Sequence, residues 1–207
     1  RIRETRKHAA QELTRQMQEQ LSELEMRKAR LRVNVSDKHD PEGLDIDGTL
    51  AFDAYGIDQV EFLIETNPGE GFKPLAKIAS GGETSRLMLA LKNVLAEADQ
   101  IPTLVFDEID SGIGGRVGMT VGELLWKLAR HHQVMCVTHL PQLAAFGDQH
   151  IRVNKQVSDT RTITQVQELT GQARVAELAE MLGSTSPKGI QTAQEILTSV
   201  AEITGTI

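Results

Sequence analysis

The sequence predicts an α/β domain that follows a long N-terminal helix. Two short apolar runs, residues 103–106 and 134–137, lack the alternation of strands with one solvated face, which indicates buried strands. Apolar residues at helical spacing lie between the runs, and a strand, a helix and a strand in this order are typical of a parallel pair joined by a crossover. Residues 4–31 contain neither Gly nor Pro, which favours one uninterrupted helix.

The N-terminal helix carries an apolar stripe at coiled-coil spacing. Its positions are alternately four and three residues apart, as in the seam between two supercoiled helices. An ordinary amphipathic helix is the alternative. Because no neighbouring segment is predicted to cover the stripe, we expect a partner helix from outside the chain. We therefore assign residues 1–32 to a coiled-coil arm and residues 33–207 to a lobe that follows it. The stripe consists of Met17, Leu21, Leu24, Lys28 and Leu31.

The segment after the helix predicts turns and a small antiparallel sheet. Residues 33–49 are rich in Asp, Gly and other turn residues. Residues 60–65 are strand-like and end near an Asn-Pro-Gly turn, and residues 50–55 are candidates for pairing with them. A loop over residues 69–79 then leads to a helix that begins at Ser80.

The C-terminal part of the chain predicts a hairpin and two helices. Residues 151–157 and 162–169 resemble paired strands at the edge of a sheet, since Ser-Asp-Thr lies between them. Helices are expected over residues 173–182 and 187–203. The lone cysteine, Cys136, lies within the second apolar run, which indicates a buried structural thiol in a reducing cytoplasm and excludes an internal disulfide.

Charge and hydropathy narrow the class of protein. No apolar run approaches the ~18 residues of a membrane span, and we expect no signal peptide. The formal charge of −7 argues against broad nucleic-acid binding. Residues 1–32 nevertheless carry nine basic and five acidic side chains, so a DNA-contacting stripe is an alternative to a plain solvated helix surface there.

Two acidic residues end the first predicted strand. Asp107 and Glu108 come directly after residues 103–106, and α/β sheets bind their ligands at the carboxyl ends of strands. In nucleotide hydrolysis the first acid can help to hold Mg²⁺, and the second can orient the attacking water and accept its proton. Many sheets end in an acid without such a role, so the catalytic interpretation of this pair depends on the neighbouring motifs.

Ser80, Gly81, Gly82 and Glu83 open a predicted helix. Free backbone N–H groups and the helix dipole favour an anion at this position, and glycines allow a phosphate to approach closely. Helix capping is the alternative, because Ser80 and Glu83 have the spacing of a capping box. Capping does not need two glycines, which weaken a helix, so phosphate binding is favoured.

His139 ends the second apolar run, after Thr138. Because parallel strands end at the same edge of a sheet, we expect His139 near Asp107 and Glu108, where an imidazole can contact a γ-phosphate and help to position water. The other histidines lack such a position and are interpreted as structural or surface residues. Residues 109–115 form a glycine-rich link, which is either a plain strand-to-helix turn or a segment that crosses a dimer interface.

Three motifs in this order resemble those of the ATP-binding-cassette ATPases, and more narrowly the head domains of SMC-type proteins. The motifs lie at residues 79–87, 105–115 and 136–142, and the resemblance spans roughly residues 35–185. It implies an α/β fold that is the C-terminal lobe of a P-loop NTPase head of the ABC/SMC type, preceded by a stub of the coiled-coil arm. The implied activity is ATP hydrolysis, with ATP and Mg²⁺ as cofactors.

The resemblance also implies a role for each matched residue. Asp107 would hold the metal, and Glu108 and His139 would be catalytic. In this family the signature motif of one head contacts the γ-phosphate of ATP bound to another head, so two ATP molecules lie between two heads. The residues implied to bind nucleotide are Ser80, Gly81, Gly82, Glu83, Asp110, Ser111 and Gly112.

For the whole protein, the resemblance implies double-strand-break repair and recombination, through ATP-driven head dimerisation that is coupled to DNA binding. The implied location is the cytoplasm, at the nucleoid. Expected partners are the N-terminal half of the same protein, a second head and DNA, but no membrane. The alternatives are a head lobe of another SMC-like chromosome or recombination ATPase and a non-catalytic coiled-coil interaction module. The presence of Glu108 and His139 argues against the module.

The sequence departs from the family pattern in two places. No stretch matches the glycine-rich, lysine-containing loop that would hold the phosphates, so we expect the isolated chain to be inactive. Gly114 stands where cassette ATPases commonly have Asp, and the contact of that Asp is therefore not carried over to this chain.

Overall fold

The computed structural model describes residues 1–45, 49–77, 81–158 and 161–205. The chain divides into two compact units, the first comprising residues 1–80 and 90–95 and the second residues 81–89 and 96–207. The predicted division of arm from lobe after residue 32 is a different one and stays a prediction.

The first unit packs one helix on an antiparallel sheet. Helix α1 (Ile2–Glu23) contacts strand β1 (Arg30–Asp37). β1 pairs with β4 (Asp58–Glu65), and β4 also pairs with the short strand β5 (Lys73–Pro74). The remaining elements of this unit are β2 (His39–Asp45) paired with β3 (Thr49–Leu50), and a turn of 3-10 helix at Leu75–Lys77.

Helix α1 is shorter than predicted. It ends at Glu23 rather than near residue 31, and Glu25 has a positive φ of 56°, which is incompatible with continuing the helix. From Arg30 onward exposure alternates, with Leu31 buried and Arg32 exposed, which is the period of a strand. The prediction of one helix up to residue 31 is therefore wrong.

The pairing partner of β4 also differs from the prediction. β1 lies beside β4 in antiparallel register, from Arg30 opposite Glu65 to Asp37 opposite Asp58. Residues 50–55 do not pair with β4, and much of the predicted turn segment is strand, because β1 and β2 include residues 33–37 and 39–45.

The apolar stripe of α1 is buried within the first unit. Met17, Leu21 and Leu24 are each at most 1% exposed, and Leu31 is buried on β1. Full burial of such a side chain stabilises the fold by about 1.5–3 kcal/mol. The expectation that a helix from outside the chain must cover these residues is wrong, because a strand that follows the helix closely packs against it.

The second unit contains a parallel strand pair. β6 (Thr103–Phe106) and β7 (Gln133–Cys136) are in parallel register, and α3 (Gly115–Leu128) connects them. The predicted order of strand, helix and strand is thus confirmed. α2 (Gly82–Val94), of which residues 82–89 belong to this unit, precedes the pair, and the short helix α4 (Pro141–Ala144) follows it.

One face of the β6–β7 pair is exposed. Leu104 and Phe106 are buried, whereas Val105, Met135 and Val137 are each more than half exposed. The expectation that both faces of the strand pair are buried is therefore wrong, because in the described residues this face is exposed.

A hairpin and two helices complete the second unit. β8 (His150–Ser158) and β9 (Arg161–Leu169) are antiparallel, and α5 (Gly171–Met181) and α6 (Pro187–Thr204) pack against each other. These elements confirm the predicted hairpin and helices. In the described residues, however, β8 and β9 form a two-stranded sheet of their own, so the predicted place of the hairpin at the edge of a larger sheet is wrong. Within the described ranges, no helix has both the length and the apolar character needed to cross a membrane.

Candidate active site

The parallel register brings the carboxyl ends of β6 and β7 together. Phe106 lies opposite Cys136, and the Val137 N–H donates to the Phe106 carbonyl oxygen at 2.9 Å. The segments that follow the two strands, residues 107–108 and 138–139, therefore start from the same edge of the sheet. This is the arrangement that ligand sites of parallel sheets require.

Asp110 links the two segments. Its side chain is 4% exposed, and its Oδ2 accepts hydrogen bonds from Thr138 Oγ1 at 2.6 Å and from the His139 backbone N–H at 2.8 Å. The same oxygen lies 3.0 Å from His139 Nδ1, although the His139 side chain is 71% exposed. One edge of the imidazole is thus held at a buried carboxylate, and most of the ring faces solvent.

The two acids at the end of β6 are exposed. Asp107 Oδ1 accepts a hydrogen bond from the Glu108 N–H at 2.9 Å, and the Glu108 carbonyl oxygen accepts one from the Ser111 N–H at 3.0 Å. Glu108 has a φ of 56°, in the left-handed region that residues other than Gly rarely adopt. Such strain costs about 1–3 kcal/mol and persists where the surroundings enforce it, commonly at functional sites.

The turn after β6 crowds the two glycines at the start of α2. A Cβ on Gly82 would lie 2.7 Å from the Ser111 carbonyl oxygen, and one on Gly81 would overlap Glu108 Oε2. Close packing against the backbone is therefore a reason for Gly82 that sequence reasoning missed, and it is independent of phosphate binding. The neighbour of Gly81 is the end of the exposed Glu108 side chain, which can move aside. Ser80, the predicted cap and nucleotide-binding residue, lies outside the described residues.

Ser85 and Arg86 attach α2 to the same turn. Arg86 is 7% exposed and donates from Nη1 to the carbonyl oxygens of Ile109 at 3.2 Å and Ser111 at 2.9 Å. Ser85 Oγ donates to the Asp107 carbonyl oxygen at 2.9 Å. Burial lowers the pKa of the Arg86 guanidinium. Sequence reasoning missed both residues, and the available signal was an arginine directly before Leu87, an apolar residue that is buried.

The other residues predicted to bind nucleotide lie around this turn. Glu83, Ser111 and Gly112 are exposed, and Gly112 has a φ of 73°, a conformation that favours glycine. Asp110 differs from them, because its carboxylate is buried against the chain's own residues. A nucleotide-binding role for each stays a prediction.

The exposed acids suit a magnesium ion that is shared with phosphates and water. Carboxylate oxygens are the ligands that Mg²⁺ prefers, and Mg²⁺ is usually held by one or two of them together with substrate phosphates. In the part of the chain that the structure describes, no group of three or more His, Cys, Asp or Glu side chains could hold a metal by itself. Asp107 therefore fits a metal that is bound jointly with a nucleotide.

Cys136, on β7, is a partly buried free thiol. Burial, with a smaller effect of the Asp110 and Asp107 charges, raises its pKa to about 12. The thiol is thus neutral at physiological pH and is a poor nucleophile or metal ligand. This supports the predicted structural role.

The fold is that of an SMC-type head domain. The chain aligns with the Smc head domain with a coiled coil and joint from Pyrococcus yayanosii, with a TM-score of 0.54 and 19% identity, over 85% of this chain and 30% of that one. The Smc head domain with an extended coiled coil from Pyrococcus furiosus, bound to the C-terminal domain of ScpA, gives a TM-score of 0.50 and 18% identity, over 86% and 38%. The predicted class, a lobe of a P-loop NTPase head, is confirmed.

Sequence relatives narrow this class to one family. The chain is 52% identical over 145 residues to the DNA repair protein RecN of Treponema pallidum (strain Nichols), covering 69% of this chain and 25% of the relative. Identity to the RecN proteins of Streptomyces coelicolor and Bacillus subtilis is 42% over 182 residues and 37% over 185 residues, each covering 87% of this chain and 32% of the relative. The chain belongs to the RecN family.

The match covers only part of these relatives. The chain spans about a quarter to a third of the length of the RecN proteins compared above. No protein-family model matches the chain.

Proposed function

We propose that this chain is the C-terminal lobe of a RecN-like ATPase head, which hydrolyses ATP in DNA repair together with a lobe that the chain does not contain. The observation that carries the proposal is the common starting edge of residues 107–108 and 138–139, joined through the buried Asp110. The RecN relatives and the SMC-type fold support ATP as the substrate.

In this proposal each exposed group has one task. Asp107 would hold Mg²⁺, which would supply charge neutralisation on the phosphates of ATP. Glu108 orients the attacking water and accepts its proton as the general base. His139 presents its exposed ring to the γ-phosphate and helps to position the water.

The phosphate-binding loop would come from the N-terminal half of the same protein. The exposed apolar face of Val105, Met135 and Val137 supports such a partner, because parallel strands are normally covered on both faces and exposed apolar patches mark interaction sites. The isolated chain would consequently be inactive. Micromolar binding of Mg-ATP to the 207-residue chain in calorimetry would contradict this part of the proposal.

In the complete protein, two heads would enclose two ATP molecules. Residues 80–83, 111 and 112 of one head would contact the nucleotide of the other, so that ATP binding closes the heads and hydrolysis reopens them. The coiled-coil arms would pass this change to DNA during double-strand-break repair and recombination, in the cytoplasm at the nucleoid. The RecN relatives are DNA repair proteins, which supports this setting.

Glu108→Gln in the full-length protein tests the catalytic assignment. The amide keeps the shape of the side chain but cannot serve as a general base, so we expect single-turnover hydrolysis to fall on the order of 10²-fold or more while ATP binding is retained. Dimeric heads should accumulate with ATP, as measured by analytical ultracentrifugation.

Glu123→Gln is the matched control. Glu123 lies on α3, where it pairs with Lys127 on an exposed surface, and the same chemical change there should leave hydrolysis unchanged. Near-normal hydrolysis by Glu108→Gln would remove Glu108 from the proposed role.

A further inference from the structure

Asp110 holds the imidazole that the proposed function assigns to the γ-phosphate. We propose that Asp110 is a positioning residue for His139, whose ring it keeps in the Nδ1–H form with Nε2 directed away from the carboxylate. The inference rests on the proposed function for the purpose of the ring, but the state of the ring can be measured without any turnover.

Two hydrogen bonds hold the Oδ2 atom of Asp110 in place, in addition to its contact with the imidazole. Thr138 Oγ1 and the His139 N–H both donate to Oδ2, at 2.6 Å and 2.8 Å. Thr138 Oγ1 in turn accepts from the Leu140 N–H at 3.0 Å, so the hydroxyl is fixed as well. Because these bonds set the position of Oδ2 relative to the main chain of residues 138–140, the 3.0 Å approach of His139 Nδ1 restricts the direction of the ring.

The chemistry of the pair determines which nitrogen carries the proton. An ionised carboxylate only accepts hydrogen bonds, whereas a neutral imidazole has one N–H and one bare nitrogen. A proton on Nδ1 can be donated to Asp110, which leaves Nε2 free. At Nε2 the neutral ring can accept a hydrogen bond from water, and the protonated ring can donate one to a phosphate oxygen.

Burial separates this carboxylate from the exposed acids nearby. Asp107 and Glu108 face solvent, whereas the Asp110 side chain is 4% exposed and bonded within its own chain. A buried charge held by neutral donors is costly unless every bond is made. Its place between the ends of β6 and β7 suits a group that acts through His139.

The first test measures the ring itself. In the full-length protein labelled with ¹⁵N-histidine, and with the His139 signal assigned through His139→Gln, we expect Nδ1 to be protonated and Nε2 to be bare in the neutral ring. Asp110→Asn, which keeps the size but removes the charge, should shift the population toward the Nε2–H form. A wild-type ring protonated at Nε2, or an unchanged population in Asp110→Asn, would overturn the inference.

Thr138→Val controls for a purely structural role. It removes one donor from the same Oδ2 and should lower the melting temperature, but it leaves the Nδ1 contact and should leave the tautomer unchanged. If Thr138→Val shifted the tautomer as much as Asp110→Asn, the tautomer would depend on the stability of the whole turn and not on the Asp110 charge. This result would count against the inference.

The second test is a double-mutant cycle on hydrolysis. Residues that orient a functional histidine are worth about 10- to 100-fold in activity at metal sites, and by analogy we expect Asp110→Asn to lower kcat about 10-fold with little change in KM. In a His139→Gln background the same change should lower kcat by less than about 2-fold, because the two residues act as a unit. Independent, multiplicative losses would overturn the inference.

The two tests separate two kinds of failure. If His139→Gln hydrolyses ATP at the wild-type rate, the role of His139 in the proposed function fails. The tautomer measurement still decides whether Asp110 positions the ring.

Discussion

Asp58 in the first unit and Asp110 in the second are equally buried but differently bonded. The Asp58 side chain is 3% exposed and accepts hydrogen bonds from Arg3 Nε at 2.6 Å and Arg6 Nη1 at 2.8 Å. Asp110 is held instead by a hydroxyl, a backbone amide and the approach of His139. The two aspartates are thus similarly buried but have different kinds of hydrogen-bond partner.

The difference lies in how each charge is compensated. Asp58 ties β4 to the arginines of α1, and its hydrogen bonds to Arg6 and Arg3 lower its pKa. Such a pair anchors one element to another. None of the described partners of Asp110 is Arg or Lys, and a buried acid without such a partner is a costly way to gain stability. Its place at the strand ends is better explained by chemistry than by stability.

Gly82→Ala should have the largest effect, through the turn that carries Asp110. Helix propensity alone predicts a gain of less than about 1 kcal/mol for this change, because Gly82 is the first residue of α2 and not an interior one. The added Cβ would instead lie 2.7 Å from the Ser111 carbonyl oxygen, so we expect a loss of about 1–3 kcal/mol in the free energy of unfolding, and slower hydrolysis in the full-length protein. Chemical denaturation measures the first effect.

Gly114→Ala is the matched control for this change. Its φ of −103° suits any residue, and no heavy atom lies within 4 Å of the position that a Cβ would take. It should leave stability nearly unchanged. Equal stability of the two variants would show that the turn is not held by packing on Gly82.

Asp58→Asn should have an intermediate effect, on stability alone. Because the pKa of Asp58 is lowered in the folded state, its stabilisation is complete above the ordinary value near 3.8 and is lost as the pH falls through the folded value. The variant should thus melt below the wild type at pH 7, and the difference should shrink in acid. Hydrolysis by the full-length protein should not change.

Asp37→Asn sharpens the comparison. Asp37 also pairs with Arg3, but its side chain is 41% exposed, and exposed pairs are worth little. Its melting temperature should fall less than that of Asp58→Asn. If Asp58→Asn lost hydrolysis at temperatures where the protein is folded, Asp58 would not act on stability alone. The proposed difference between Asp58 and Asp110 would then fail.

His150→Gln should have the smallest effect. Burial, followed by the charge of Arg174, lowers the pKa of His150, so the folded state favours the neutral ring. Stability should therefore decline as the pH falls below the ordinary value of 6.5, because the unfolded chain binds the proton more readily. The variant should have a flatter stability profile between about pH 7 and pH 5.

His131→Gln controls for the loss of any histidine. Its side chain is exposed, and its replacement should change the melting temperature little. If thermal melts show identical slopes for the wild type and His150→Gln, burial of His150 has no consequence for stability.

The secondary structure was predictable where one pattern dominated. Residues 103–106 form the predicted strand, because an apolar run without alternation, followed by two acids, has few other interpretations. The end of α1 was not predictable in the same way. Leu31 fits both a heptad position and the alternation of β1, so its sequence spacing alone favours neither structure.

The candidate site was predictable only in part. The common starting edge of residues 107–108 and 138–139 follows from the parallel order of the strands that they end. The contacts of Arg86 with the turn, and of Asp110 with Thr138, join residues more than 20 positions apart. Such contacts depend on how the turn packs, which no local pattern encodes.

Motif order and local periodicity alone thus identified the SMC-type head fold, the parallel core and the exposed acids, because each is encoded within a few neighbouring residues. The tertiary structure alone decided that β1 packs on the stripe of α1, that Gly82 is crowded by Ser111, and that Asp110 faces His139. These features depend on the packing of distant segments, where close contact and the bonding of buried polar groups select one arrangement.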